Sequence, residues 1–449
     1  MTSSDHSDAS PGTAAGPSRA PLPEGTVPVG VALLIAGIAT YAFFKIGNEA
    51  VGGDEAFAPI TSLWFATFAL APGFFLPLEQ ELGRALAHRR ALGQGTAPVV
   101  AKVVRLGVAL TVGVVLVIAI ASPLISSAYF DGDVMMVVAL ALAFAAYGPA
   151  HLARGVCSGS GRFGSYAIIM GSDGVIRILL CVALAVVGVS AAGAYGLAVA
   201  IAPLFAVLYV YRRGGLTTDP GPPATWSEVT PNLGWLLLGS VFAASLLNAG
   251  PIAASLLADE NQSVLVTQFG QGVLLARIPL FLFQAVQAAL LPRLSRLAAQ
   301  GELDEFRSGL KRLMAVVLVV GVVGTAGAFL LGPFALEVVF DADLTGRTLA
   351  LLAFSSACYM VALATAQAVI ALKGHALVSV GWGLGAVAFV LATWLSSDEV
   401  FRRVEIGLLA SSLTAMVAFG LALRHKLRVG VVPDRDSLMD AITDMPFES

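Results

Sequence analysis

About twelve stretches of this chain stay apolar for roughly 20 residues each, long enough for each to cross a bilayer as a helix. They lie near Val27–Phe44, Phe57–Leu78, Val103–Ile125, Val134–Ala153, Tyr166–Val187, Ala192–Tyr211, Leu233–Leu257, Val264–Leu291, Met314–Leu331, Leu349–Leu372, Ala376–Leu395 and Ile406–Leu423. Of the 449 residues 57% are hydrophobic and 12% charged, and the mean hydropathy is +0.85. A soluble chain carries about twice that charged fraction. The sequence therefore predicts an all-α polytopic membrane protein.

Basic residues set its orientation. Of the 26 lysines and arginines, 20 fall in the N-terminal tail, the even-numbered loops (with Arg105, at the adjoining inner start of span 3) and the C-terminal tail. Four fall in the odd-numbered loops, Lys45, Arg347, Arg402 and Arg403. This bias places both termini in the cytoplasm. Residues 1–26, rich in Ser, Ala, Pro and Gly, read as a disordered cytoplasmic tail without the basic region of a signal peptide. Spans 1–6 make one lobe (27–211) and spans 7–12 a second (233–424), joined by a polar, Pro-rich cytoplasmic linker (212–232); a polar tail (425–449) follows. High Ala, Gly, Val and Arg usage points to a GC-rich bacterial genome, and so to the bacterial cytoplasmic membrane.

Three landmarks support a repeat. Leu76-Pro77-Leu78 closes span 2 and Leu291-Pro292-Arg293 closes span 8, each before a charged, amphipathic surface stretch. The starts of spans 1 and 7 are similarly offset, as are the loops Arg154–Arg162 and Gln367–Gly374. Both halves begin inside, which gives a parallel repeat about an axis along the membrane normal.

The two remaining cations, Arg277 and Arg177, lie within apolar runs. An arginine at bilayer depth costs about 2.5–3.5 kcal/mol or more, so it faces a polar cavity or a protein partner. Two readings of Arg277 follow: a cargo-facing cation sharing a helical face with Gln284, or a bridge to backbone carbonyls of a neighbouring helix. Asp173 precedes Arg177 by four residues, the spacing of an acid–base pair on one helix turn; the pair is either structural or part of a ligand site. Lys45 either snorkels to the outer headgroups or guards a cavity mouth. Asn248, Gly250 and Pro251 interrupt span 7 and read as a hinge or as a static kink.

Leu275-Ala-Arg277-Ile-Pro279, then Leu291-Pro292 and its basic, Ala-rich continuation, together with Arg154–Phe163 and Asp173–Arg177, resemble the multidrug/oligosaccharidyl-lipid/polysaccharide (MOP) exporter superfamily. Within it they resemble the Wzx-type polysaccharide flippases. The resemblance covers roughly residues 27–424. It implies two pseudo-symmetric six-helix lobes in a MATE-like fold. It also implies alternating access that carries a polyprenyl-diphosphate-linked oligosaccharide from the inner to the outer leaflet. Arg277 and Arg177 would grip the anionic diphosphate, since guanidinium pairs bidentately with phosphate. The partners are then the lipid-linked oligosaccharide and the membrane lipids, driven by the membrane potential or by H+ or Na+ coupled through Asp173. A cation-coupled multidrug exporter and a peptidoglycan-precursor flippase are the alternatives.

No enzyme chemistry is legible. The five histidines are scattered, no acidic cluster has metal spacing, and Cys157, Cys181 and Cys358 read as free thiols, so no cofactor is expected. A net charge of −3 gives no hint of nucleic-acid binding.

Overall fold

The computed structural model describes residues 26–226, 228, 233–280, 283, 294, 297, 298 and 301–429. Among them are thirteen α-helices and no strands. They are α1 (Thr26–Val51), α2 (Asp54–Ala91), α3 (Ala97–Ile120), α4 (Ser122–Tyr129), α5 (Val134–Gly159), α6 (Phe163–Val187) and α7 (Ala192–Arg212) in the first half. The second half holds α8 (Leu233–Leu257), α9 (Ser263–Ala276), α10 (Leu303–Phe340), α11 (Gly346–Ala371), α12 (His375–Leu395) and α13 (Val400–Val429). Eleven described helices are long and apolar enough to cross a membrane. The eighth expected span is represented by α9, and most of its second half lies outside the described residues. So do the proposed tails, apart from a few residues at their edges, and Gln284.

Local chemistry sets several helix ends. The Asp133 carboxylate accepts from the Met135 amide at 2.8 Å and caps α5, while the Thr345 hydroxyl caps α11 through the Thr348 amide. Gly188 ends α6 in the left-handed conformation, at φ 79°.

Packing repeats between the halves. The pairs α1–α6, α3–α5, α5–α7 and α6–α7 have counterparts in α8–α12, α10–α11, α11–α13 and α12–α13. Inside each half the equivalent helices are the most enclosed, α2 and α5 in the first and α11 in the second; α3 and α10 are the most exposed, as lipid-facing helices would be.

Two features differ from expectation. The charged stretch from Glu79 to Arg90 is not a separate surface helix. It continues α2 through Pro77 as one 38-residue rod. Likewise residues 303–312 open α10 rather than forming a helix of their own. Glycines explain how α2 holds a charged end inside the lobe. A Cβ on Gly155 would stand 2.8 Å from the Glu79 carbonyl oxygen, and one on Gly159 would stand 2.6 Å from that of Gly83. The α2 and α5 backbones therefore touch, as small residues permit in membrane helices.

The lobes meet chiefly where α2 packs antiparallel on α8. Asn248 Nδ2 donates to the Phe68 carbonyl at 3.3 Å, and Ser240 Oγ to the Pro72 carbonyl at 3.4 Å. Toward the side opposite the basic loops, here called the outer side, three further contacts close the seam. The Ser62 and Ser255 hydroxyls share a hydrogen bond of 2.5 Å, Thr267 Oγ1 donates to the Asp54 carbonyl at 2.6 Å, and Tyr41 OH donates to the Leu274 carbonyl at 3.1 Å. Among the described residues, no ion pair crosses between helices α1–α7 and α8–α13.

Candidate functional site

Arg277 stands where α9 ends. Its backbone (φ −95°, ψ −2°) forms a turn, and helix resumes at Ile278. Pro279 accounts for the break, because its ring removes the hydrogen bond to the Leu275 carbonyl and crowds that carbonyl. The interruption therefore falls in span 8. In span 7, α8 runs unbroken through Asn248, Gly250 and Pro251.

The Arg277 side chain is 7% exposed and lies on the lobe interface. Nη1 donates to Asn248 Oδ1 at 2.9 Å, and Nη2 donates to the Leu247 carbonyl. The guanidinium carbon lies 5.6 Å from the centre of the Phe65 ring of the other lobe. Both carbonyls in this network are proline-freed. Pro251 has no N–H to offer Leu247, four residues earlier, and Pro72 has none for Phe68. Asn248 links the two, since its Oδ1 faces Arg277 and its Nδ2 faces the Phe68 carbonyl. Beside Arg277 a cavity of about 30 Å³, room for one water-sized molecule, is bounded by Ser355, Ser356, Tyr359 and Ser412. The Ser355 hydroxyl is buried without a hydrogen-bond partner. Among the described residues no carboxylate pairs with Arg277, and residues 281–300 contain no Asp or Glu.

Arg177 differs. It is 3% exposed, and Nη2 donates to Asp173 Oδ2 at 2.7 Å and to Tyr147 OH at 3.1 Å. Its guanidinium lies 4.7 Å from the Trp64 ring centre and 5.2 Å from that of Phe68. The two arginines thus pack on neighbouring rings of one stretch of α2, Arg177 on Trp64 and Phe68 and Arg277 on Phe65. Asp173 neutralises the first within its own lobe. Lys45 pairs with Glu49 at 3.1 Å on exposed surface.

Glu79 is a second carboxylate held inside the first lobe, beside Asp173. Glu79 Oε2 accepts from His151 Nδ1 at 2.8 Å and from Arg154 Nη2 at 2.8 Å, and Tyr166 OH donates to Oε1 at 3.0 Å. The sequence places Glu79 in the amphipathic surface stretch after Pro77; the structure carries it inside because α2 continues through that proline. The spacing of His151 and Arg154, three apart and on one helical face, was the available signal.

No protein-family model matches the chain. Uncharacterized proteins of Mycobacterium tuberculosis and Mycobacterium bovis are 25% identical over 437 residues, covering 92% of this chain and 96% of theirs. An inward-facing multidrug resistance MATE family transporter of the MOP superfamily superposes with a TM-score of 0.69 at 15% identity, over 90% of this chain and 99% of that one. The chain has the MATE fold. An outward-facing conformation of such a transporter gives 0.64 at 15% identity, over 90% of this chain and 96% of the other. A Vibrio cholerae MATE transporter mutant gives 0.65 at 15% identity, over 90% and 97%. The MATE-fold seam between lobes is thus where this chain places Arg277 and Asn248.

Proposed function

We propose that this MATE-fold chain is a transporter of the bacterial cytoplasmic membrane. It carries a polyprenyl-diphosphate-linked oligosaccharide, a cell-envelope polysaccharide precursor, from the inner to the outer leaflet by alternating access, without covalent chemistry. The observation that carries this reading is Arg277, a buried guanidinium on the lobe seam held by neutral acceptors alone. A cation in that state gains from an anionic ligand. Diphosphate oxygens would replace the Leu247 carbonyl and Asn248 Oδ1 with charge-assisted, bidentate hydrogen bonds. Moving Arg277 onto cargo also frees Asn248, whose other end holds the Phe68 carbonyl of the opposite lobe. Cargo binding is thereby linked to loosening of the seam. An inside-negative potential favours outward movement of an anion by about 2.3 kcal/mol per charge per 100 mV. Coupling to H+ or Na+ through Asp173 is less well supported, because Arg177 occupies that carboxylate.

A multidrug exporter is the second reading. It is favoured by the solved structures of this fold, which are multidrug resistance transporters. Against it, Glu79 and Asp173 are each charge-neutralised by an arginine, Arg154 and Arg177, although Asp173 Oδ1 keeps no hydrogen-bond partner.

Depletion of the protein in its host, followed by lipid extraction, tests the choice. Accumulation of polyprenyl-diphosphate oligosaccharide on the inner leaflet, rescued by wild type and not by Arg277→Gln at equal protein level, is the expected result. Full rescue by Arg277→Gln overturns the proposed grip. Sensitivity to cationic dyes without lipid accumulation moves the assignment to the exporter.

A further inference from the structure

The described part of the connection between α7 and α8, residues 213–226 and 228, does not hang between the lobes. It runs as a strap across the inner end of the first lobe, and arginine and lysine side chains hold it there by its main-chain carbonyls. Arg89 is the centre. It is 2% exposed, and Nε donates to Glu228 Oε2 at 2.9 Å. Nη1 reaches the Pro222 and Gly95 carbonyls at 2.8 and 3.1 Å, and Nη2 the Pro223 carbonyl at 3.3 Å. Arg84 Nη2 donates to the Glu228 carbonyl at 2.7 Å, Arg162 Nη1 to the Gly215 carbonyl at 2.9 Å, and Lys102 Nζ to the Ala224 carbonyl. The Ala97 amide donates to the Asp219 carbonyl at 2.9 Å.

The fit is close. A Cβ on Gly95 would lie 1.9 Å from the Pro220 oxygen, and one on Gly221 would lie 2.3 Å from the Gly95 oxygen. Only glycine lets these backbones meet. Pro220, Pro222 and Pro223 have no N–H with which to build secondary structure of their own, so their segment is suited to being held through its carbonyls.

This docking shortens the tether between lobes. From Arg213 to Leu233 the chain makes 20 residue steps, which extended would reach about 70 Å. Fixed at Glu228, it makes five, with a reach of about 17 Å. Glu228 is fixed to Arg84 of α2, and α2 is the helix on which α8 packs. We propose that the strap is a clasp that keeps the inner end of the α2–α8 seam shut, making that seam the axis about which the lobes turn. The inference rests on the reading that the lobes rock, and not on the identity of the cargo.

Interlobe distances in lipid nanodiscs test it. Spin labels at Leu92→Cys, an exposed position after α2, and Gly234→Cys, where a Cβ meets open space, report the inner end of the seam. A second pair at Asp131→Cys and Asp343→Cys reports the outer side. All three native cysteines are buried. Wild type is expected to show one narrow inner distance. Gly221→Ala and Arg89→Ala, with release of residues 217–226 confirmed by hydrogen exchange, are expected to add longer distances. So is a four-residue insertion after Glu228, which leaves the clasp intact and adds up to about 13 Å of reach. An unchanged inner distance despite strap release overturns the proposal. So does lengthening in the clasp variants without lengthening in the insertion, because the strap would then act only within the first lobe. If neither label pair shows more than one distance in any protein, the rocking reading fails together with it; outer distances that vary while the inner one stays constant in the strap-released and insertion variants as well as in wild type defeat the clasp alone.

Discussion

Pro251 and Arg277 are complementary. The proline leaves the Leu247 carbonyl without a helical donor, and the arginine donates to that carbonyl from the neighbouring span. In membrane helices proline is tolerated where another group satisfies the freed acceptor. That supply explains why α8 passes through Pro251 without breaking.

The pair should behave as a unit in a double-mutant cycle. Pro251→Ala alone restores the backbone N–H and displaces Arg277 from one acceptor, so its two effects offset one another. In an Arg277→Gln background the same substitution has only the favourable helix effect. A coupling of about 1.5–3 kcal/mol, the worth of one charged hydrogen bond, is expected in thermal unfolding of the two single variants and the double variant. Additivity within about 0.5 kcal/mol would show that the two residues act independently.

Asn248→Asp places a carboxylate on the Arg277 guanidinium. The expected result is a folded protein that has lost the Nδ2 bond to the Phe68 carbonyl and whose lipid flipping falls at least about tenfold, since an ion pair replaces one neutral acceptor of Arg277. Transport at the wild-type rate would mean that the free charge of Arg277 has no part in cargo binding.

Glu79→Gln should be costly for folding. It leaves Arg154 inside the lobe without its carboxylate, and breaking a buried pair by removing one partner costs about 3–5 kcal/mol. Tyr166→Phe removes only a neutral donor to the same carboxylate, at about 1.5–3 kcal/mol for a hydrogen bond to a charged group. Thermal melts in detergent would rank the two; equal losses would contradict the assigned geometry.

Strap docking should depend on acid. Burial works to raise the Glu228 carboxyl, but hydrogen bonds from Arg89 and Thr225 and the charge of Arg89 outweigh it and hold the pKa near about 2. A depressed carboxylate contributes stability that is complete above its ordinary range, near 4.5, and is lost as pH falls toward about 2. Arg84, held in turn by Glu81, and Lys102 also face the strap. Hydrogen exchange of residues 217–226 should be constant from pH 7 to 5 after correction for intrinsic rates, and protection should fall below about 4 in wild type but not in Glu228→Gln. Equal acid sensitivity in both would place the titrating group elsewhere.

Spans were legible because lipid leaves a run of apolar residues that nothing else requires. Polar placement was not, because it depends on which helix touches which. Pro77 marks a helix end in water, yet here Gly155 and Gly159 draw α5 against α2 and bring Arg154 and His151 to Glu79, so the helix and its charge continue inside. Arg277 and Pro251 were each noticeable alone. Their connection spans two helices, and no local spacing encodes it. The strap was visible only as a polar, Pro-rich linker, because a linker's sequence does not say where its carbonyls will be held.

The outer seal has a further consequence. It consists of Ser62 on Ser255, Thr267 on a carbonyl and Tyr41 on a carbonyl, all uncharged. Parting such contacts moves no formal charge through the membrane field. In an electrical recording the gate itself would therefore be silent, and any current would report Arg277 and whatever it carries.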